Sequence, residues 1–160
     1  MSTDLTPQDY RPLVLLVDDD DDDVLLIQRA LAAAAPGAEV VRADNGLDAL
    51  VLLRKESPFE QARRPALVLL DLNMPVMGGR EVLEQIKTDA SLKSVPIVVL
   101  TTSDDAHDIA FCYQHHANSY AIKPVGLEET REVINAICGF WLRTAVTPRP
   151  APRPLAETLV

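Results

Sequence analysis

Apolar residues fall into short unbroken runs that alternate with longer stretches of helical period. Leu13–Val17, residues 66–71 and residues 95–101 are aliphatic runs of the length and texture of strands buried on both faces. Residues 38–43 and 119–123 read as two further strands. After the first run, Val24, Ile27, Ala30, Leu31 and Ala34 recur at helical spacing, and Pro36 with Gly37 closes the segment. Residues 47–55, 79–87 and 106–117 read as helices, the last with Ile109, Ala110, Tyr113 and Ala117 on one face. A final helix, residues 127 to about 143, turns Val133, Ile134, Ile137, Cys138 and Trp141 inward. Five strands alternating with five helices predict an α/β fold, a five-stranded parallel sheet with helices on both faces.

The chain divides into an N-terminal arm (1–10), one domain (11–144) and a proline-rich tail (145–160) without apolar period, which reads as extended. A length of 160 residues fits one domain with its own core. A net charge of −9 argues against a nucleic-acid partner, because phosphate backbones are bound through clustered Lys and Arg. No apolar stretch has the length to cross a bilayer, and the N-terminus lacks the basic start and apolar centre of a signal segment. No membrane association and a cytoplasmic location are expected. Cys112 and Cys138 stand in helical segments without a metal-ligand pattern and are expected to be free thiols.

Six consecutive aspartates, Asp18 to Asp23, lie between the first strand and the first helix. Such a block usually marks a solvated tail. Here it falls on a strand-to-helix turn, at the carboxyl rim where open α/β sheets place their ligands. The later members, Asp21, Asp22 and Asp23, are expected to supply the cap and the first turn of a helix, where negative charge meets the helix dipole. The first two are different. Carboxylates about 4 Å apart repel by roughly 4 kcal/mol at an effective dielectric near 20, so a folded site needs a cation or proton between them. An oxygen-lined magnesium site is the natural expectation. The other strand ends bring Asp71, Thr101 with Thr102, and Lys123 to the same rim. Alone, Asp71 could cap a turn, Thr101 close a strand and Lys123 be a solvated charge. Together they supply what phosphoryl transfer to a carboxylate requires: a metal site, a hydroxyl and an ammonium.

The segments "LLVDDD", "LVLLDLNMPVMGG", "VVLTTS" and "YAIKP" resemble the successive motifs of receiver domains, the phosphoacceptor modules of two-component response regulators, over residues 11–144. The resemblance implies a flavodoxin-like, doubly wound (βα)5 fold. It implies Asp18 and Asp19 as magnesium ligands, joined by Asp71 and the backbone carbonyl of Asn73. Asp71 corresponds to the phosphorylated aspartate, Thr101 to the switch hydroxyl, Lys123 to the lysine that pairs with the phosphoryl group, and Tyr120 to the switch aromatic. The Lys123–Pro124 pair often carries a cis peptide bond in receivers. One departure is visible: after "MPVM" receivers commonly have Asp-Gly, whereas this chain has Gly78-Gly79. That change loosens a turn and leaves the catalytic set intact.

A narrower resemblance, carried by "DDDVLLIQRAL", "IKTDASLKSVPIVVLTTS" and "FWLRTAVTP", is to the small regulators that partner bacterial phytochrome histidine kinases. It implies phosphate from a light-regulated sensor kinase and a homodimer built partly from the terminal segments. Tyr113, His115, His116, Phe140 and Trp141 are candidates for that surface. The expected protein is a phosphoacceptor, an enzyme only toward its own phosphorylation and dephosphorylation. With only a tail after the last helix, output is expected through another protein, dimerisation or onward transfer of phosphate. Two alternatives stay open on the sequence: a degenerate receiver acting as a binding module, and a haloacid-dehalogenase-type phosphatase using Asp18-x-Asp20, Thr101 and Lys123. The second lacks a later acidic strand end for its metal.

Overall fold

The three aliphatic runs and the two further predicted segments form five strands: β1 (Leu13–Val17), β2 (Glu39–Ala43), β3 (Leu67–Leu70), β4 (Ile97–Thr101) and β5 (Ser119–Ile122). They are followed in turn by α1 (Asp21–Ala34), α2 (Gly46–Leu53), α3 (Gly79–Thr88), α4 (Ala106–Gln114) and α5 (Leu127–Cys138). The structure is a computed structural model in which residues 10–148 are described. The N-terminal arm before Tyr10 and the tail beyond residue 148 lie outside them.

All neighbouring strands are parallel, in the order β2-β1-β3-β4-β5. Successive side chains on a strand point to opposite faces, and the aliphatic runs divide accordingly. Val14, Leu16, Leu67, Leu69, Val98 and Leu100 pack under α1 and α5, against Ile27, Leu31, Ile134 and Ile137. Leu15, Val17, Val68, Leu70, Ile97 and Val99 pack under α2 and α3, against Leu50, Leu53, Val82, Leu83 and Ile86. Both faces of the three central strands are therefore dry, which is why they read as continuous apolar runs. Each fully buried Leu or Ile stabilises the fold by about 1.5–3 kcal/mol relative to an exposed one.

Four expectations need correction. Helix α4 turns Cys112 inward, not Tyr113: the thiol is fully buried, while Tyr113 is 50% exposed and Ala110 is exposed. The thiol packs as a small hydrophobe. Tyr113 sits at the edge of the sheet, where its hydroxyl accepts from the Tyr120 N–H at 3.2 Å and its other side meets water. The last helix does not run unbroken to residue 143. It closes at Cys138 and continues as a π-helical turn, Gly139–Thr144, from which Arg143 donates to the Ala34 carbonyl at 2.7 Å. That contact satisfies an orphan carbonyl at the end of α1. Lys123–Pro124 is not cis; Ser57–Pro58 is. The cap of α1 is not among Asp21, Asp22 and Asp23, which form its first turn, but is Asp20, whose carboxylate accepts from the Asp23 N–H at 2.9 Å. Both cysteines are free, as expected. No helix among the described residues is long and apolar enough to cross a membrane.

Candidate functional site

The residues singled out at the strand ends are held by the sheet itself. The ladder of backbone hydrogen bonds runs one residue past the strands: Asp18 N–H donates to the Ala43 carbonyl (3.2 Å), Asp71 N–H to Val17 (2.9 Å) and Lys123 N–H to Thr101 (2.7 Å). Asp18, Asp71 and Lys123 thus leave the sheet from fixed positions on its carboxyl rim, beside Thr101, the last residue of β4. The turn after β3 folds back so that Gly79 N–H donates to the Leu72 carbonyl at 2.9 Å. A Cβ at Gly79 would collide with the Asp71 carbonyl and press the Leu72 backbone, so this position accepts only glycine. Gly78 meets nothing nearer than the Leu72 carbonyl at 3.5 Å. A side chain fits there, and the departure from Asp-Gly is sterically neutral.

Asp18, Asp19 and Asp71 each offer a carboxylate oxygen, all within 4.8 Å of one another. Asp18 and Asp71 are 1% and 6% exposed, whereas Asp19 faces solvent. Lys123 reaches into the cluster with only 7% of its side chain exposed. Its Nζ lies 2.7 Å from Asp18 Oδ2, 2.9 Å from Asp23 Oδ2 and 3.5 Å from Asp71 Oδ2. Asn73 is exposed on the turn two residues past Asp71.

The charges at this rim do not balance. The four carboxylates of Asp18, Asp19, Asp23 and Asp71 meet one ammonium at this rim, and a pair at 4.8 Å repels by roughly 3–4 kcal/mol at an effective dielectric near 20. Burial pushes the Asp71 carboxyl above the ordinary aspartate range; Lys123 opposes the shift and Asp18 adds to it. Burial likewise raises Asp18, against the pull of Lys123 and the Asp20 N–H. Burial alone would lower Lys123, but the carboxylates of Asp18, Asp23 and Asp71 outweigh it and hold the ammonium above the usual lysine range.

Two buried oxygens point to what the site is shaped to receive. Asp18 Oδ2 has its ionic contact with Lys123 but no well-directed hydrogen bond, and the fully buried Thr101 hydroxyl has no partner. Thr101 lies close enough to Asp71 to favour its ionised form without reaching hydrogen-bond geometry. A buried hydroxyl without a partner costs about 1–3 kcal/mol. An all-oxygen set of three carboxylates, one with an unsatisfied buried oxygen, fits a hard divalent cation. The free hydroxyl and the ammonium fit an anion on Asp71.

Around this centre lie residues that sequence reasoning missed. Asp23, assigned to the helix start, turns its carboxylate to Lys123. The signal was in the helical period: Asp23 stands four residues before the buried Ile27, on the inward stripe. Arg42 of β2 ties down the acidic turn, with Nη1 2.8 Å from Asp21, Nε 3.0 Å from Asp44 and a 3.2 Å bond to the Asp18 carbonyl. On the other side, Asp108 of α4 binds Arg80 of α3 and accepts from the Ser103 hydroxyl at 2.6 Å. Those bonds hold the Asp108 carboxyl below its ordinary range, Ser103 first and Arg80 second. Tyr120 packs partly against the core and donates its hydroxyl to the Ser103 carbonyl at 2.8 Å. The candidate switch aromatic is therefore bonded to the loop that follows Thr101. His115 stacks on Phe111 with centroids 4.0 Å apart, and its Nε2 is 3.3 Å from Glu84. His116 is exposed, as is Phe140 (52%), and Trp141 is half-buried edge-on to Phe140. None of these joins the acidic rim.

Comparison with known proteins agrees with this architecture. The family model described as the response regulator receiver domain matches residues 14–135. Response regulator Rcp1 of Synechocystis sp. is 38% identical over 136 residues, 85% of this chain and 92% of that protein. A crystal structure of the Mn(2+)-bound form of Rcp1 superposes with a TM-score of 0.81, covering 86% of this chain and 99% of its own. The phosphorylated cyanobacterial phytochrome response regulator RcpA superposes with a TM-score of 0.84 at 42% identity, over 87% of this chain and 99% of its own. The bacteriophytochrome response regulator AtBRR does so with a TM-score of 0.69 at 32% identity, over 88% and 99%. With the sheet order, the placement of the strand-end residues and the family match in agreement, the chain belongs to the response regulator receiver domain family and resembles its phytochrome response regulators.

Proposed function

We propose that Asp71 accepts a phosphoryl group from a phosphohistidine of a sensor histidine kinase. The observation that carries this reading is the meeting of three carboxylates, a buried ammonium and an unpartnered buried hydroxyl on one rim. An Asp71 carboxylate oxygen attacks phosphorus in line. The O–P bond forms as the P–N bond breaks, and its electron pair leaves on the kinase imidazole, which takes a proton from water and departs as neutral histidine. Magnesium, held by Asp18, Asp19, Asp71 and the Asn73 carbonyl, would supply neutralisation of the phosphoryl oxygens. Lys123 pairs with the incoming charge, and the Thr101 hydroxyl donates to it.

Engagement of Thr101 draws on the β4–α4 loop, to which Tyr120 is bonded through the Ser103 carbonyl. Phosphorylation thereby biases a two-state element on the α4 and β5 side. Hydrolysis of the acyl phosphate at the same site makes the chain a catalyst only of its own phosphorylation and dephosphorylation. By likeness to the phytochrome response regulators RcpA and AtBRR, the donor is a bacterial phytochrome kinase; the resemblance in sequence adds a homodimer acting in the cytoplasm.

Phosphotransfer from a radiolabelled, autophosphorylated bacterial phytochrome tests the donor. Label is expected on the wild type and absent from Asp71→Asn. Label on Asp71→Asn would refute the acceptor, and a binding module remains if neither chain is labelled. Against the dehalogenase-type alternative stand the receiver-domain match over residues 14–135 and the use of Asp20 as the cap of α1.

A further inference from the structure

Lys123 carries three N–H donors, and three carboxylates surround them, from Asp18, Asp23 and Asp71. An anion placed on Asp71 needs that ammonium, so one of the existing partners must give way. Asp18 is the costly one to release. It is 1% exposed, and its other oxygen already accepts from the Asp20 N–H at 3.0 Å. Asp23 is different in each respect. Its side chain is 36% exposed, so water can replace the lysine as its partner. It also lies on α1, a hundred residues away in sequence, and its 2.9 Å bond is shorter than the 3.5 Å separation from Asp71.

The local geometry shows that this orientation is not a by-product of helix capping. In a capping box the third helical residue reaches back to the N–H of the cap. Here the Asp20 N–H is taken by Asp18 Oδ1, and the Asp23 carboxylate is left to face Lys123. We propose that Asp23 is a positioning residue that holds Lys123 on the α1 side of the acceptor and yields it to an anionic group on Asp71. The inference rests on the phosphoacceptor reading and adds to it a competitor for the ammonium. It also gives α1 a part in the response, since the bond that ties its first turn to the end of β5 is the one released.

The test is binding of beryllium trifluoride, a phosphoryl mimic, to the full chain in magnesium, followed by isothermal titration calorimetry. Asp23→Asn removes the competing charge and is expected to tighten binding about two- to fivefold, the range a partly exposed ion pair carries. Asp22→Asn removes the same helix-dipole charge from an exposed side chain of the same turn and is expected to leave binding unchanged. Loss of helix stability alone would weaken binding or leave it unaltered, so tightening separates competition from a structural role. Binding by wild type that is unchanged or weaker in Asp23→Asn, or equally tightened in Asp22→Asn, overturns the inference alone. Absence of binding by wild type overturns the phosphoacceptor reading and this inference with it.

Discussion

Lys123→Met removes the ammonium and keeps most of the aliphatic stem, so it isolates the charge. With 7% of the lysine side chain exposed, and Asp18 and Asp71 almost fully buried, the variant leaves two acids facing each other without a cation. Breaking a buried pair in this way costs about 3–5 kcal/mol. The cost has a definite dependence on pH. Burial already places both carboxyl groups above their ordinary range, and losing Lys123 removes the foremost of the groups that oppose that shift. A carboxyl raised in the folded state destabilises it progressively as pH rises from the unfolded value of about 3.9 through the folded pKa, and the cost vanishes below the unfolded value. The penalty is therefore absent below the unfolded value, grows as pH rises and is full only above the folded values. Urea unfolding in chelator, followed by the fluorescence of the single Trp141, measures it. Magnesium should then restore more stability to the variant than to wild type, because the ammonium no longer competes for the same oxygens. A variant as stable as wild type in chelator near neutral pH, or a penalty unchanged with pH, would refute the reasoning.

Three further outcomes follow from the same geometry. Magnesium at ten times its dissociation constant should stabilise wild type by about 1.4 kcal/mol, and Asp19→Asn, which alters only a solvent-facing ligand, should abolish that gain in the same unfolding assay. Gly79→Ala forces a methyl into the Asp71 and Leu72 backbone and should destabilise by about 1–3 kcal/mol, whereas Gly78→Asp fits and adds a cap to α3, a gain of a few tenths of a kcal/mol. Val76, 83% exposed with φ of 67°, is a β-branched residue in the left-handed region, so Val76→Gly should raise the unfolding midpoint by the equivalent of about 0.5–1 kcal/mol.

The sheet was legible because three strands are dry on both faces and leave unbroken aliphatic runs, and α1 because its stripe from Val24 to Leu31 has no competing period. The main site was legible for a related reason: in a parallel sheet every strand ends on one rim, so residues distant in sequence can be listed together from strand ends alone. What escaped was set by packing between elements. Helix α4 buries one residue fully, Cys112, and a single inward position gives no period from which to choose between it and Tyr113. Six identical aspartates left only position to distinguish the cap at Asp20 from the lysine partner at Asp23, which depends on α1 and the end of β5 sharing a face. The Arg80–Asp108–Ser103 link joins two helices and a loop, with no local signature in any of them.

The measurement that tests the central claim most directly is intact mass after incubation with acetyl phosphate, with and without magnesium, on wild type and Asp71→Asn. The account predicts a gain of one phosphate on wild type, dependent on magnesium and absent from the variant. No gain on wild type in magnesium, or an equal gain on Asp71→Asn, would contradict it.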